Sequence, residues 1–257
     1  MIKTGWTRPA RTAPNWLMAR PIAHRGLHDF SSGVVENSLG ALRAALARNY
    51  GVECDLRLSR DGEVFVFHDD ALDRLCGTAE RFDALDSSEL GCQRLVGSGE
   101  PIPTLARWLE TADGAGPLVL ELKGEFSGDV SLARAVSAAL ASYRGDVAVK
   151  SFDPSLIAWL RASGAKYPLG MVAQSDYEEE EWRHLTEEQR FGLARFTHAV
   201  DTRPDFLSWR ACDLPSPVCE LAGALGAPTM TWTIRGLEQA AAARRSADQI
   251  VFEGFLP

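Results

Sequence analysis

Short apolar runs, separated by amphipathic stretches, recur along the whole chain. Each run has the length and the β-branched or aromatic content of a buried strand. The runs, of which the last is the shortest, are Pro21–His24, Val52–Leu58, Val64–His68, Leu118–Leu122, Val147–Phe152, Leu169–Val172, Thr197–Val200, Thr229–Ile234 and Ile250–Phe252. Helical patterns lie between most of them, and this alternation predicts parallel βα units.

The intervening stretches have helical periodicity. They are Ser38–Arg48, Thr104–Thr111, Val130–Tyr143, Pro154–Ser163, Pro215–Leu225 and Leu237–Arg245. Asn37 is the predicted N-cap of the first helix, and Gly226 is the predicted residue after the end of the fifth. Eight strands in a chain of 257 residues fit an α/β fold of the single-domain (β/α)8 barrel type. A doubly wound sheet would usually have a Gly-rich first turn, which is missing here.

The unit around the third run departs from this alternation. Ser59-Arg60-Asp61-Gly62 joins two strand runs with no room for a helix. Its Asp-Gly pair is typical of a hairpin turn, so the relative direction of the two strands stays open. The next connection, residues 69–103, is long and rich in Asp, Ser and Gly. Because loops of this length are usually functional, we predict an insertion over the site, with a plain surface excursion as the alternative.

Composition and charge narrow the class of protein. A hydrophobic fraction of 46% supports a large core, and a net charge of -8 disfavours a nucleic-acid partner. No apolar run approaches the length of a membrane span, and the N-terminus lacks the apolar centre of a signal peptide. Five cysteines without a CxxC motif are typical of a reduced, cytoplasmic chain. We assign residues 1–20 to an extension that packs on the barrel, residues 21–257, and a homo-oligomer stays a candidate.

Carboxylates and cations lie within or directly after several strand runs. Glu53 and Asp55 are two residues apart, so on a strand they point to the same side, and we expect that side to be the barrel lumen. Glu121 supplies a third carboxylate, with Lys123 two residues later. Two inward carboxylates repel each other without a cation, and three oxygen donors suit Mg2+ or Ca2+. The alternative is an internal salt-bridge network that includes Arg57.

Two histidines are the best candidates for acid/base chemistry. His24 ends the first run and His68 ends the third, and an imidazole can give or take a proton near neutral pH. Arg25 can hold a phosphate oxygen bidentately. Trp232 lies towards the end of the Thr229–Ile234 run and either forms a substrate-binding wall or packs in the core. Together with the carboxylates, these residues indicate metal-assisted attack on an anionic substrate.

The motifs, in their order along the chain, resemble those of the glycerophosphodiester phosphodiesterases. Each motif is weak alone, but the ordered set over residues 21–235 is specific. The matching residues are His24-Arg25-Gly26, Glu36-Asn37-Ser38, Glu53-Cys54-Asp55-Leu56, Val66-Phe67-His68-Asp69, Ile102-Pro103-Thr104-Leu105, Glu121-Leu122-Lys123, Ser151-Phe152 and Trp232-Thr233. The resemblance implies a (β/α)8 barrel that uses a divalent metal to hydrolyse glycerophosphodiesters to glycerol 3-phosphate and an alcohol.

The resemblance also implies a role for individual residues. The roles are metal ligands for Glu53, Asp55 and Glu121, catalytic histidines for His24 and His68, phosphate binding for Arg25, and substrate contact for Lys123. Glu36 either reaches the metal or its waters or has no part in the site. Two departures from the family pattern, Arg235 and the terminal segment 251–257, concern recognition of the substrate tail and not the reaction.

The reaction expected from this resemblance has two steps. One histidine takes a proton from the glycerol 2-hydroxyl, the other protonates the leaving alcohol, and water then opens a cyclic phosphate with the roles exchanged. The sequence leaves open which histidine acts first. Two alternatives remain: a lysophospholipase D-type activity on lysophospholipids with the same centre, and a non-catalytic phosphate-ligand binding barrel. An amidohydrolase is disfavoured because the His-x-His strand signature is missing.

Overall fold

Eight parallel strands close into a barrel, and a ninth strand lies outside it. The structure is a computed structural model that describes residues 12–257. The strands are β1 Ile22–Ala23, β2 Gly51–Leu58, β3 Val64–Val66, β4 Leu118–Leu122, β5 Val147–Ser151, β6 Leu169–Ala173, β7 Phe206–Arg210, β8 Thr229–Ile234 and β9 Gln249–Phe252. Closure occurs at β1, which pairs in parallel with β2 on one side and with β9 on the other. The predicted (β/α)8 barrel is confirmed.

Helices accompany the barrel strands, and most of them lie between two consecutive strands of the barrel. They are α1 Trp16–Ala19, α2 Leu39–Ala47, α3 Asp73–Cys76, α4 Ser87–Cys92, α5 Leu105–Ala112, α6 Ser131–Leu140, α7 Pro154–Ala162, α8 Glu187–Ala194, α9 Ala199–Thr202, α10 Pro217–Ala224 and α11 Leu237–Ala243. Each predicted helix is present, with small shifts at its ends. The N-cap of α2 was predicted wrongly: the hydroxyl of Ser38, not Asn37, accepts the hydrogen bond from the Ala41 N–H at 3.1 Å.

One predicted strand was wrong, and one was too weakly predicted. Thr197–Val200 is not a strand, because Ala199 begins α9 and the next barrel strand, β7, starts at Phe206. Phe196 and Ala199 are both buried in the main core, and a spacing of three residues is helical. Ile250–Phe252, the shortest predicted run, belongs to the strand that closes the barrel.

The hairpin signal after β2 is correct. β3 pairs antiparallel with β2 and therefore is not a barrel strand. The insertion that follows has its own apolar core, formed by Val35, Phe65, Phe67, Leu72, Leu75, Phe82, Leu90, Leu95 and Ile102. The rings of Phe67 and Phe82 stack with centroids 5.2 Å apart. Because Phe67 directly precedes His68, this core fixes the backbone that presents the histidine.

The N-terminal end of the barrel is covered by the segment around α1. Leu17 joins an apolar cluster inside the barrel, and Gln249 Nε2 donates hydrogen bonds to the carbonyls of Leu17 and Arg20 at 3.1 and 2.7 Å. Residues 1–11 of the predicted extension lie outside the described residues. From residue 12 onward, the helices are too short or too polar to cross a membrane.

Candidate active site

Three carboxylates meet inside the C-terminal half of the barrel. Cys54 and Leu56 pack between the strands and the helices, so the alternation along β2 points Glu53 and Asp55 into the lumen. The register of β2 with β4 places Asp55 beside Glu121. Oxygens of the three carboxylates lie within 4.8 Å of one another, and each residue is buried. The structure therefore brings together the three predicted metal ligands.

Two of the predicted cations contact this acidic cluster. Lys123 Nζ lies 2.9 Å from Asp55 Oδ1 and 2.5 Å from Glu121 Oε1. Arg25 Nε lies 3.3 Å from Asp55 Oδ2, and the backbone N–H of Arg25 donates to Glu53 Oε2 at 3.1 Å. Both cations also line the cleft above the cluster, so they face the cluster and the space for a ligand at once.

A third cation, Lys150, was missed in the sequence. Its Nζ lies 3.1 Å from Glu53 Oε1 and 3.0 Å from Glu121 Oε2. Lys150 is only 2% exposed and stands beside Glu121 in the β4–β5 register. The available signal was a lysine in the middle of an apolar strand run, because such a residue is almost never buried without a carboxylate partner.

These contacts keep Asp55 and Glu121 ionised. Burial opposes the charge on Asp55, but Lys123, first among the neighbouring charges, holds the pKa of Asp55 well below its usual range. Burial likewise opposes the charge on Glu121, and Lys123 and Lys150 lower its pKa to about 2. The Glu53 and Glu121 carboxylates also raise the pKa of Lys150 against the effect of its burial. Asp55, Glu121 and Lys150 thus carry fixed charges at neutral pH.

The acidic cluster fits a divalent cation. Converging carboxylate oxygens are the ligands that Mg2+ and Ca2+ prefer. Oxygens of the three carboxylates lie within 4.8 Å of one another, and each residue is buried. Two of these carboxylates already contact the buried ammonium group of Lys150, so the cluster accommodates a cation. Glu53, Asp55 and Glu121 could therefore hold a metal ion.

Both candidate histidines pair with a carboxylate through Nδ1. His24 Nδ1 lies 2.6 Å from Glu253 Oε2, and His68 Nδ1 lies 2.7 Å from Asp69 Oδ1. With its proton on Nδ1, each imidazole leaves Nε2 for proton transfer, and the carboxylate stabilises the imidazolium form. Neither partner was predicted; Asp69 is next to its histidine, whereas Glu253 follows β9 and its role depends on barrel closure.

Arg74, in the insertion, connects the partner of His68 with the partner of Arg25. Its guanidinium donates to both oxygens of Asp69 at 2.6 and 2.9 Å, and to both oxygens of Glu36 at 2.8 Å each. Glu36 Oε1 in turn accepts from Arg25 Nη1 at 2.6 Å. Burial opposes ionisation of Glu36, but Arg74 and Arg25 lower its pKa to about 2. Glu36 therefore contacts the phosphate-binding candidate and not the acidic cluster.

Four residues of the loop after β1 have a positive φ: Arg25, Gly26, Gly33 and Asn37. Gly26 has a φ of 80°, and a Cβ there would lie 2.7 Å from the Ala41 Cβ, so only glycine fits. Asn37 has a φ of 56° and is buried. Its side-chain amide donates to Asp55 Oδ2 at 3.0 Å and accepts from the Asp55 N–H at 3.3 Å. Asn37 thus orients Asp55, which explains the Glu-Asn pair better than helix capping does.

A cleft of about 660 Å³ opens above the cluster at the barrel mouth. His24, Arg25, His68 and Lys123 line one part of it. Aromatic side chains line the other part: Phe126, Phe152, Trp182 and Trp232. The Trp232 indole N–H donates to the Ser208 carbonyl at 2.9 Å, so the ring is fixed while one side faces the cleft.

A βα barrel that carries its charged and titratable groups at the C-terminal ends of the strands is built as barrel enzymes are. Comparison with known proteins narrows the class further. Residues 24–247 match the model of the glycerophosphoryl diester phosphodiesterase family. This match covers most of the chain, and the chain belongs to that family.

Individual relatives agree with this membership. YhdW of Bacillus subtilis (strain 168), provisionally named a glycerophosphodiester phosphodiesterase, is 33% identical over 110 residues, which is 40% of this chain and 44% of the relative. A glycerophosphodiester phosphodiesterase of Caldanaerobacter subterraneus subsp. tengcongensis is 34% identical over 93 residues, 33% of this chain and 36% of the relative. The chain thus matches less than half the length of these curated relatives.

Solved structures show the same fold. An Oleispira antarctica phosphodiesterase, in complex with the product sn-glycerol-3-phosphate, has a TM-score of 0.75 at 21% identity, covering 91% of this chain and 92% of that one. A glycerophosphodiester phosphodiesterase of Thermotoga maritima has a TM-score of 0.66 at 24% identity, covering 91% of this chain and 94% of that one.

Proposed function

We propose that this protein is a metal-dependent phosphodiesterase that hydrolyses glycerophosphodiesters to sn-glycerol 3-phosphate and an alcohol. One observation carries the proposal: a cluster of three buried carboxylates and two carboxylate-paired histidines converge at one barrel mouth. Family membership supports the reaction class, and the sn-glycerol-3-phosphate complex of the Oleispira antarctica phosphodiesterase supports the substrate class. A cytoplasmic location stays a prediction from the sequence.

The cluster and its cations would bind the phosphodiester group. Glu53, Asp55 and Glu121 would hold Mg2+ or Ca2+, and the bound cation would supply charge stabilisation and favour deprotonation of a substrate hydroxyl. Arg25 would hold phosphate oxygens with its planar guanidinium, and Lys123 would add a compact positive charge. Both cations line the cleft, so both can contact a substrate phosphate there.

The two histidines would move the protons. One imidazole Nε2 takes the proton of the glycerol 2-hydroxyl, whose oxygen attacks phosphorus and displaces the alcohol. The other imidazole gives that alcohol its proton, and a cyclic phosphate forms. Water then opens the ring with the two roles exchanged. Glu253 and Asp69 stabilise whichever of His24 and His68 is protonated, and their similar distances do not distinguish the first base.

A lysophospholipase D-type activity is the second candidate, and the aromatic part of the cleft is the observation that favours it. Phe126, Phe152 and Trp182 offer an apolar surface beside the charged part, which an acyl chain would contact. Faster release of the headgroup alcohol from a lysophospholipid than from its deacylated diester would support this candidate. A clear preference for the deacylated diester would contradict it.

The main proposal is tested by measuring glycerol 3-phosphate release from a panel of glycerophosphodiesters. The protein is first treated with EDTA, and Mg2+ or Ca2+ is then restored separately. We expect release to stop after EDTA and to return with one of the two metals. Glu121→Gln should not regain activity, whereas the matched control Glu188→Gln, on the exposed face of α8, should. If glycerol 3-phosphate is not released with either metal, the proposal is contradicted. The non-catalytic phosphate-binding barrel would then be the remaining alternative.

A further inference from the structure

Every oxygen of the acidic cluster has a nitrogen atom close to it. Lys150 Nζ contacts one oxygen of Glu53 and one oxygen of Glu121, at 3.1 and 3.0 Å. The other four oxygens are contacted, within 3.3 Å, by Arg25, Asn37 and Lys123. Three carboxylates thus face three cationic side chains, and the cluster is balanced in charge by the chain itself.

Lys150 differs from the other two cations in its position. Arg25 and Lys123 line the cleft, whereas Lys150 does not and is 2% exposed. Ala148, two residues earlier on β5, belongs to the apolar cluster that fills the barrel below. The ammonium group therefore reaches the carboxylates from the side away from the cleft, where it cannot contact a substrate.

We propose that Lys150 is an internal cation that holds the cluster together and weakens its binding of a divalent metal. The proposal rests on the metal site of the proposed function. Glu53 and Glu121 each direct an oxygen at Lys150 that a metal ion would otherwise share, and two positive charges a few ångströms apart in a buried site repel each other. When no metal is bound, the positive charge of Lys150 offsets the repulsion between the carboxylates. Lys150 is thus a positioning residue that sets metal affinity.

The test compares Lys150→Met with the wild type and with Lys166→Met, a matched control at an exposed lysine. Each protein is stripped with EDTA, titrated with Mg2+ and with Ca2+ in a calorimeter, and unfolded thermally with and without metal. We expect Lys150→Met to bind the preferred cation at least tenfold more tightly than the wild type, because a repelling charge is removed. We also expect it to unfold at a lower temperature without metal, and Lys166→Met to match the wild type.

An unchanged or weaker metal affinity in Lys150→Met, beside measurable binding by the wild type, would overturn the role of Lys150 alone. An absence of metal binding in both proteins would overturn the metal site of the proposed function and this inference with it. If Lys150→Met does not fold without metal, the double variant Lys150→Met/Glu121→Gln decides. Recovery of a cooperative thermal transition in the double variant supports charge balance as the role of Lys150, and failure to recover overturns it.

Discussion

The two halves of the barrel lumen are built by the same strands but contain opposite chemistry. Near the N-terminal ends, apolar side chains fill the lumen: Leu17, Ile22, Val119, Ala148, Phe206, Met230 and Val251. One step further along β4 and β5, Val119 is followed on the same side by Glu121, and Ala148 by Lys150. A rise of about 7 Å, two strand residues, separates a dry apolar core from a network of charges.

This contrast shows how the barrel can contain so much buried charge. The Phe206 ring packs over Gly170 of the neighbouring strand β6 so closely that a Cβ on Gly170 would be 2.3 Å from it, and this ring helps to fill the lower half. Apolar burial in that half stabilises the fold, while the charged half gains little net stability from its ion pairs because each charge loses its water. Stability and chemistry are therefore assigned to different halves, as in barrel enzymes generally.

The largest effect we expect comes from the histidines at the charged end. His24→Gln and His68→Gln should each reduce turnover of a glycerophosphodiester by about 10² or more, because each removes one of the two proposed proton-transfer groups. The melting temperature should change little, since both side chains are partly exposed. Steady-state rates and thermal unfolding check this, with His198→Gln as the control, because His198 belongs to neither histidine–carboxylate pair and does not line the cleft. Near-wild-type turnover in either variant would refute that assignment.

The second effect should appear in stability and not in chemistry. Phe206→Ala removes a fully buried ring from the apolar half, and we expect the free energy of unfolding to fall by about 3–5 kcal/mol. Turnover by the folded fraction should stay close to that of the wild type. Urea unfolding and turnover measurements check both expectations, with Phe191→Ala, whose ring is 58% exposed, as the control. A large loss of turnover with unchanged stability would contradict the assignment of stability and chemistry to different halves.

The sequence predicted the barrel because most strands have uninterrupted apolar runs. β7 was missed for a physical reason: Phe206, Ser208 and Arg210 occupy one side of the strand, so polar residues interrupt the apolar pattern at the point where the lumen changes character. The neighbouring run at Thr197–Val200 is apolar because one turn of α9 packs on the core. Periodicity over four residues cannot separate these two cases.

The candidate site was predictable as far as local motifs extend. The spacing of Glu53 and Asp55 on one strand identifies them as candidates, and the position of His68 at the end of another strand does the same for it. Lys150 and Glu253 could not be assigned, because their partners depend on strand register and on closure of the barrel. Contacts between residues distant in the chain are fixed by the fold, and no local pattern records them.

A smaller effect is expected from the insertion, which contacts the charged end of the barrel through Arg74. Arg74→Gln removes the guanidinium that holds Asp69 and Glu36, so His68 and Arg25 lose their fixed orientation. We expect kcat to fall about tenfold, a typical loss for a residue that orients functional side chains. Arg74→Lys should recover little, because an ammonium cannot donate bidentately to two carboxylates.

The matched control for Arg74 is Arg94→Gln in the same insertion, because within residues 12–257 the Arg94 guanidinium donates only to backbone carbonyls, at 2.8 and 2.9 Å. Values of kcat and KM are measured for all three variants, together with thermal unfolding. Equal rates in Arg74→Gln and Arg94→Gln would mean that the insertion does not position the histidine side of the site.

The smallest effect should come from Trp232, the residue that belongs to both halves. Its ring packs against the apolar cluster and also lines the cleft, and its N–H donates to the Ser208 carbonyl. Trp232→Phe removes this hydrogen bond, so we expect a loss of about 1 kcal/mol in stability. If the ring contacts substrate as proposed, KM should also rise about fivefold at unchanged kcat, because equal contact in ground and transition states changes binding alone.

Urea unfolding and steady-state kinetics separate the two effects, with Trp159→Phe on α7 as the control. A loss of stability without a change in KM would assign Trp232 to the apolar half alone. The boundary between the two halves would then lie at the floor of the cleft.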